Sequence, residues 1–500
     1  MDILPDLKLP LITQSPKLPA RAAREALDHV VIVLAAKPTA QDYRRVPQGK
    51  QIQALLAKVD DGEAVSSRLG NPRGTGLTVA KFRGGSRFEQ LTWAKQLIAN
   101  CNKDKPSKVG ICAIGLAESQ QQSLTALVAA ALAAAFKLPN LKSSAKKGNR
   151  LTNLKLYGVD SALPLAELRA QALGNNIARW FTVLPPNALT ASTYRKALAK
   201  LSRKFGLSFE FFDEKKLASL GAGAFLAVSQ GNADREAGIV RLRYRPGKQK
   251  RADLALVGKG ILFDTGGTNL KPFKSMLDMH TDMQGSAVAV GCLAALAHLQ
   301  VPYAIDAWLA ITENRISAKA YKSQDVVTAA NGTTIQVIHT DAEGRMVLAD
   351  TLAIAAKEQP ALVIDYATLT GACVGALTEN YSGVFSNRQA ANSIAVLAGA
   401  ASGERVWPFP MDPDFDEMLR SEIADIKQCA ASGFGDHILA ARFLSKFVPP
   451  SIPWIHVDLS SGQRKDGLAH IPSEVTGFGV GLTLELLRQQ SPAALAKELA

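Results

Sequence analysis

Three expected strand exits in this sequence end in carboxylates or glycine-rich turns. In VGKGILFDTGG, Lys259 and Asp264 precede Gly266 and Gly267; in MLDMHTDMQGSA, Asp282 precedes Gly285; in HTDAEGR, Asp341, Glu343 and Arg345 lead into a helical pattern. An acidic group at the end of an apolar strand is costly unless something positive binds there. Asp341 and Glu343 are two apart, so an extended backbone points both to one side. Four converging carboxylates with almost no histidine form the donor set of a hard or borderline divalent cation: Mg²⁺, Mn²⁺ or carboxylate-bound Zn²⁺. Their charge is enough for two ions about 3.5–4 Å apart.

Taken singly, each piece has a plainer reading. An Asp before Gly is usually a turn residue, and an Asp-x-Glu pair is common on surfaces. The strand ends carry neither GxxxxGK[ST] nor GxGxxG, which argues against a nucleotide loop, and HExxH and GxSxG are absent. His280 and His339 are near the acidic set but follow no zinc-ligand spacing, so structural roles are expected for them. Lys259 and Asp264 are five apart, hence on opposite faces of an ideal strand; a turn or bulge must intervene if both are to face the metals. A lysine ligates a metal only when deprotonated, which nearby cations promote. Lys271, in NLKPF after the TGG turn, could as a cation polarise a carbonyl oxygen.

The elements that must position these groups alternate along the chain. HVVIVLA (29–35), VGICAIG (109–115) and LKLYGV (154–159) read as strands, and SLTALVAAALAAAF (123–136) as a helix. LAELRAQALGNNIARWFT (165–182) reads as a connecting helix stopped by LPPN. Beyond it, 252–263, 303–312, 333–340, 361–369 and 454–460 read as strands, and 285–299, 344–358, 437–447 and 478–489 as helices. The expected fold is α/β in two domains: a small α/β domain over 1–164, and a larger one over 165–500 with a mainly parallel sheet covered by helices. Ligands in such sheets gather beyond the carboxyl ends of the strands.

Composition is that of a globular chain: 500 residues, 47% hydrophobic and 20% charged. The longest apolar run, Ala126 to Phe136, falls short of the roughly 20 residues a membrane span needs. MDILPDLKLP lacks the basic flank and apolar stretch of a signal peptide. Cys101, Cys112, Cys292, Cys373 and Cys429 form no CxxC pair and read as reduced thiols of a cytoplasmic protein. The net charge of +14 is uneven: residues 1–163 hold 24 Lys+Arg against 12 Asp+Glu, a balance of +12. One basic clump is Lys142, Lys146, Lys147 and Arg150. A solvated basic loop is the plain reading, and an anion or nucleic-acid surface the sharper one.

Together, VGKGILFDTGGTNLKP, MHTDMQG, HTDAEGRMVLAD and DYATLTGA resemble the leucyl aminopeptidase family, also called cytosol aminopeptidases. ARWFTVLPPN, GAFLAVSQGN and ITENRIS extend the resemblance over residues 165–500. The resemblance implies a two-metal peptidase removing N-terminal leucine or similar residues, with Mn²⁺ or Zn²⁺ held by Lys259, Asp264, Asp282, Asp341 and Glu343. It implies that Asp264 and Glu343 bridge the ions, that Lys271 steadies the tetrahedral intermediate, and that Arg345 holds a bicarbonate ion. Met279, Thr368, Leu369 and Gly371 match positions around the substrate. A homohexamer acting on peptides is implied as well; the alternatives are a DNA-binding regulator, as some family members are, and a non-catalytic structural member of the family. The chain departs from the usual pattern at Thr265, Gln284 and His339, and Val475 stands where the family often places a larger residue near the substrate pocket.

Overall fold

Unbroken β-branched runs need cover on both faces. HVVIVL folds as the strand His29–Leu34, buried at every position, and KVGICAI as Lys108–Ile114, buried after its first residue. The two pair in parallel at the centre of a six-stranded sheet. Its order is Leu11–Ser15, Asn153–Tyr157, Lys108–Ile114, His29–Leu34, Gly76–Lys81, Ala64–Arg68, with only the last pair antiparallel. The longest apolar run lies in the helix Leu124–Ala135, which is buried along nearly its whole length and packs on Arg87–Asn102. Its hydrophobicity is that of a core helix, and among the described residues no helix is long and apolar enough to cross a membrane.

This computed structural model describes residues 3–121, 124–144 and 150–499. Of the basic clump, Lys142 is exposed and Arg150 donates to the Lys8 carbonyl, while Lys146 and Lys147 lie outside the described residues. All five cysteines are free and buried. One compact unit comprises Leu7–Ala172 with Asp466–Ser473; the other comprises the residues up to Asp6, Leu173–Lys465 and Glu474 onward. The helix Leu165–Thr182 forms over the span expected from sequence, and residue 173 divides it between the two units.

The second unit is built on eight strands, in the order Val406–Pro408, Ser382–Ser386, Trp454–Asp458, Leu362–Ala367, Leu254–Asp264, Ile305–Asn314, Gly238–Tyr244, Ser208–Asp213. The four central strands, from Trp454–Asp458 to Ile305–Asn314, are mutually parallel. Antiparallel strands flank them, Ser382–Ser386 on one side and Gly238–Tyr244 on the other. Helices cover both faces. Gly258 and Gly260 of the Lys259 strand lie against Ser286 of the helix Gln284–His298. Ala255, Val257 and Ile261, of opposite parity, join the core formed with the helix Glu343–Lys357.

The segment TTIQVIHT differs from expectation. Only Thr334–Gln336 is strand, and it belongs to a separate three-stranded sheet with Val326–Thr328 and Ile426–Lys427. Beyond it, side chains replace the ladder: Gln428 Oε1 accepts from the N–H groups of Ile338 and His339, both at 3.1 Å, and Asn269 Oδ1 accepts from that of Thr340 at 2.9 Å.

Candidate metal centre

Lys259 and Asp264 leave the strand Leu254–Asp264 at the carboxyl end of the parallel sheet. Ile261 pairs with Thr312, but Asp264 pairs with Asn314: three steps on one strand oppose two on its neighbour. One residue is therefore bulged out ahead of Asp264, which supplies the irregularity that the odd spacing required. Lys259 runs past Gly344 so closely that a β-carbon there would collide with it. Gly266 and Gly267 then take φ of +85° and +65°, open to glycine at little cost, and turn the chain back so that the Lys271 N–H reaches the Thr265 carbonyl at 2.9 Å.

The four carboxylates and two lysines converge. Lys259 Nζ lies 2.8 Å from Asp282 Oδ1 and 3.0 Å from Glu343 Oε1, and donates to the Thr368 carbonyl at 3.0 Å. Lys271 Nζ lies 2.9 Å from Asp264 Oδ2 and 2.5 Å from Asp341 Oδ1. Oxygens of Asp264, Asp341 and Glu343 fall within 4.8 Å of one another. Asp282 stands outside that trio and is joined to it through Lys259.

Burial raises the carboxyls of Asp282 and Glu343 above their ordinary range, Asp341 less deeply placed but raised too; neighbouring carboxylates add to the rise, and the lysines oppose it. Burial alone would lower Lys259 and Lys271, but the surrounding carboxylates outweigh it and raise both. Asp282 Oδ2 and Glu343 Oε2 are buried with no hydrogen-bond partner among the described residues. Crowded carboxylates with orphaned oxygens fit a divalent cation, whose charge would reverse the local protonation preferences. Asp264, Asp282, Asp341 and Glu343 are the residues able to hold it, with Lys259 available once deprotonated.

The other residues singled out in the sequence take distinct places. Arg345, buried in the first turn of the helix Glu343–Lys357, donates from Nη2 to Asp436 Oδ2 at 2.7 Å and from Nη1 to the Gln428 carbonyl at 3.2 Å. Thr368 Oγ1 donates to Asp282 Oδ1 at 2.8 Å, and the Leu369 N–H to Asp458 Oδ1 at 3.1 Å. Gly371 opens the helix Gly371–Leu377 and faces free space. Met279, half-buried, begins the short turn Met279–Thr281 that leads to Asp282. His339 accepts the Asp341 N–H on Nδ1 at 3.2 Å. Thr265 Oγ1 donates to the Asn314 carbonyl at 2.8 Å, a bond serine would make equally. Gln284 is buried and donates to the Gly462 carbonyl at 3.0 Å; Val475 is buried beside Gln463.

Sequence reasoning gave no role to the groups that hold this shell. Asn314 Nδ2 donates to Asp264 Oδ1 at 2.8 Å and to the Thr340 carbonyl at 3.0 Å. Tyr321 OH donates to the same carbonyl at 2.7 Å, and Thr340 Oγ1 to the Gly266 carbonyl at 2.7 Å. The only signal was that Asn314 lies in ITENRIS and Thr340 in HTDAEGR.

Comparison with known proteins points to one family. The model of the cytosol aminopeptidase family, catalytic domain, matches residues 176–484. A probable cytosol aminopeptidase of Syntrophotalea carbinolica is 41% identical over 338 residues, 67% of each chain. One of Chlorobaculum tepidum is 36% identical over 411 residues, 79% of this chain and 77% of the relative. Among solved structures, a mutant tomato leucine aminopeptidase superposes with a TM-score of 0.82 at 25% identity, covering 96% of this chain and 97% of that one. The bottromycin maturation enzyme BotP in complex with Mn gives 0.78 at 27% identity, covering 94% and 100%.

Proposed function

The chain belongs to the cytosol aminopeptidase family, and from that premise we propose that this metallo-aminopeptidase removes N-terminal residues, leucine or similar, by two-metal hydrolysis. The observation that carries the two-metal reading is the division of four carboxylates, three of them buried, between two lysines. We infer that Mn²⁺ or Zn²⁺ would be held by Asp264, Asp282, Asp341, Glu343 and neutral Lys259. Bound there, divalent cations would polarise the scissile carbonyl, acidify the attacking water and dock the free α-amine.

The remaining work falls to the chain's own groups. Lys271 is anchored at one edge of the cluster, its side chain 14% exposed. There it can meet negative charge developing on the carbonyl oxygen. Arg345 keeps its Nε–H unpartnered among the described residues, a donor left for a bicarbonate ion that would carry the proton to the leaving amine. Thr368 and Leu369 border the cluster, and the open space at Gly371 leaves room for substrate main chain. A cytoplasmic homohexamer acting on peptides completes the reading, supported by kinship with the family.

Cleavage of a leucyl peptide with a free amine, beside its N-acetylated form, tests the proposal. Only the free peptide is expected to be cut; equal cleavage would contradict docking of the α-amine.

A further inference from the structure

The second unit holds a cavity of about 1320 Å³ at the other end of its sheet. Ser451 and Ile452, which line it, lie just ahead of the strand Trp454–Asp458, separated from it by Pro453, so the cavity lies at the amino ends of the parallel strands whose carboxyl ends carry the carboxylate cluster. The helix Glu343–Lys357 spans the same interval: Glu343 belongs to the carboxylate cluster and Lys357 to the cavity wall. At 1.5 Å per residue, the two are roughly 21 Å apart.

Four cations line this cavity, Lys357, Arg388, Arg442 and Lys446, against one lining carboxylate, Asp412. Arg442 and Lys446 share Asp416: Arg442 forks onto its two oxygens at 2.8 and 2.7 Å, and Lys446 Nζ reaches it at 2.5 Å. Arg388 is held differently. Its Nη1 donates to the Asn387 carbonyl at 3.0 Å and its Nη2 to the Pro450 carbonyl at 2.7 Å. Lys357 Nζ donates to the Ala330 carbonyl at 3.0 Å. Its acidic neighbour Asp350 is buried and accepts the N–H groups of Phe225 and Ala330, both at 2.7 Å. Carbonyls orient a cation without neutralising it, so Arg388 and Lys357 present fixed positive charge with N–H donors to spare. Phe409 and Met411 supply apolar wall beside them.

We propose that this cavity binds a small organic anion bearing carboxylate or phosphate groups, gripped by Arg388 and Lys357 with its carbon skeleton against Phe409 and Met411. Charge-assisted bonds to oriented donors are the strong kind. The site is separate from the metal centre and independent of the reaction there.

Calorimetric titration of the metal-loaded, full-length enzyme with succinate, and separately with inorganic phosphate, tests this against the double variant K357Q/R388Q. Saturable binding of at least one probe is expected, weakened about tenfold or more in the variant, as loss of a charge-assisted hydrogen bond implies. Which probe binds tells carboxylate from phosphate. Turnover of a leucyl amide should be unchanged in the variant; if it is lost, K357Q alone takes its place and must weaken binding by itself. Absence of binding by both probes, or equal affinity in wild type and variant, overturns the proposal.

Discussion

Lys259 and Asp264 reach one cluster because their strand is bulged between them: the pairings Ile261 with Thr312 and Asp264 with Asn314 leave one residue over. Without the bulge, Asp264 would share the parity of Gly258 and Gly260 and turn toward Ser286. With it, Lys259 touches Glu343 directly, and Asp264 lies within 4.8 Å of Glu343.

The two lysines should separate under mutation. Lys271→Ala is expected to lower kcat by about 10²–10³ while metal content holds, because in the role proposed for it Lys271 would meet charge that develops fully only in the transition state. Lys259→Ala should deplete metal, since it would remove the proposed ligand and removes the link between Asp282 and Glu343. Metal stoichiometry measured beside kcat and KM for both variants decides it; metal loss in Lys271→Ala with retention in Lys259→Ala would reverse the roles.

Asp341 is the more exposed carboxylate of the trio, its side chain 26% accessible. Asp341→Ala should reduce bound metal and turnover together. Elemental analysis of the purified variant provides the check, and full activity with metal missing would refute its role.

Arg345→Ala should cost less in kcat than Lys271→Ala, because bicarbonate or water from solvent can partly replace a held proton carrier. Asp436, which fixes Nη2 at 2.7 Å, is expected to act through Arg345. Asp436→Ala should therefore lower kcat in the same direction, and added bicarbonate should affect the variant differently from wild type. An identical bicarbonate response would place Asp436 outside the reaction.

Away from the carboxylate cluster, Glu404 is buried, and Oε2 accepts the N–H groups of Gly479 and Leu482, both at 2.8 Å. Burial pushes its carboxyl up to about 7, against the opposing main-chain bonds. A folded value above the unfolded one means that its contribution to stability is fully present below about pH 4.5 and is lost as pH rises through about 7. Glu404→Gln keeps an acceptor for both N–H groups but does not titrate. The stability of this variant relative to wild type should grow between pH 5 and 8, by an amount on the order of 3 kcal/mol. Urea unfolding across that range reads the difference, and a constant offset would contradict the assignment.

Asp264 is legible in sequence because it ends an apolar run at a glycine turn, and Asp282, Asp341 and Glu343 because they stand just ahead of, or open, a helical pattern; these are local signals. Their supports were not. Asn314 reaches Asp264 across 50 positions, and Asp436 reaches Arg345 across 91; no periodicity reports such pairs. GIVRLRY forms the strand Gly238–Tyr244 although arginines interrupt its apolar pattern, because Arg241 is buried against Asp306 at 2.6 Å, a partner 65 positions away. TTIQVIHT misled in the opposite sense: its β-branched pattern suits a strand, but side chains of Gln428 and Asn269 claim the N–H groups a ladder would use.

Whether the carboxylate cluster holds the metals on which catalysis depends is most directly tested by one titration. The enzyme would be stripped with a chelator and assayed on a leucyl amide while Mn²⁺ or Zn²⁺ is added back, with bound metal counted at each step. The expected result is loss of turnover on stripping and recovery that tracks metal bound per subunit, reaching a plateau at two. Undiminished turnover in the stripped enzyme would contradict the account.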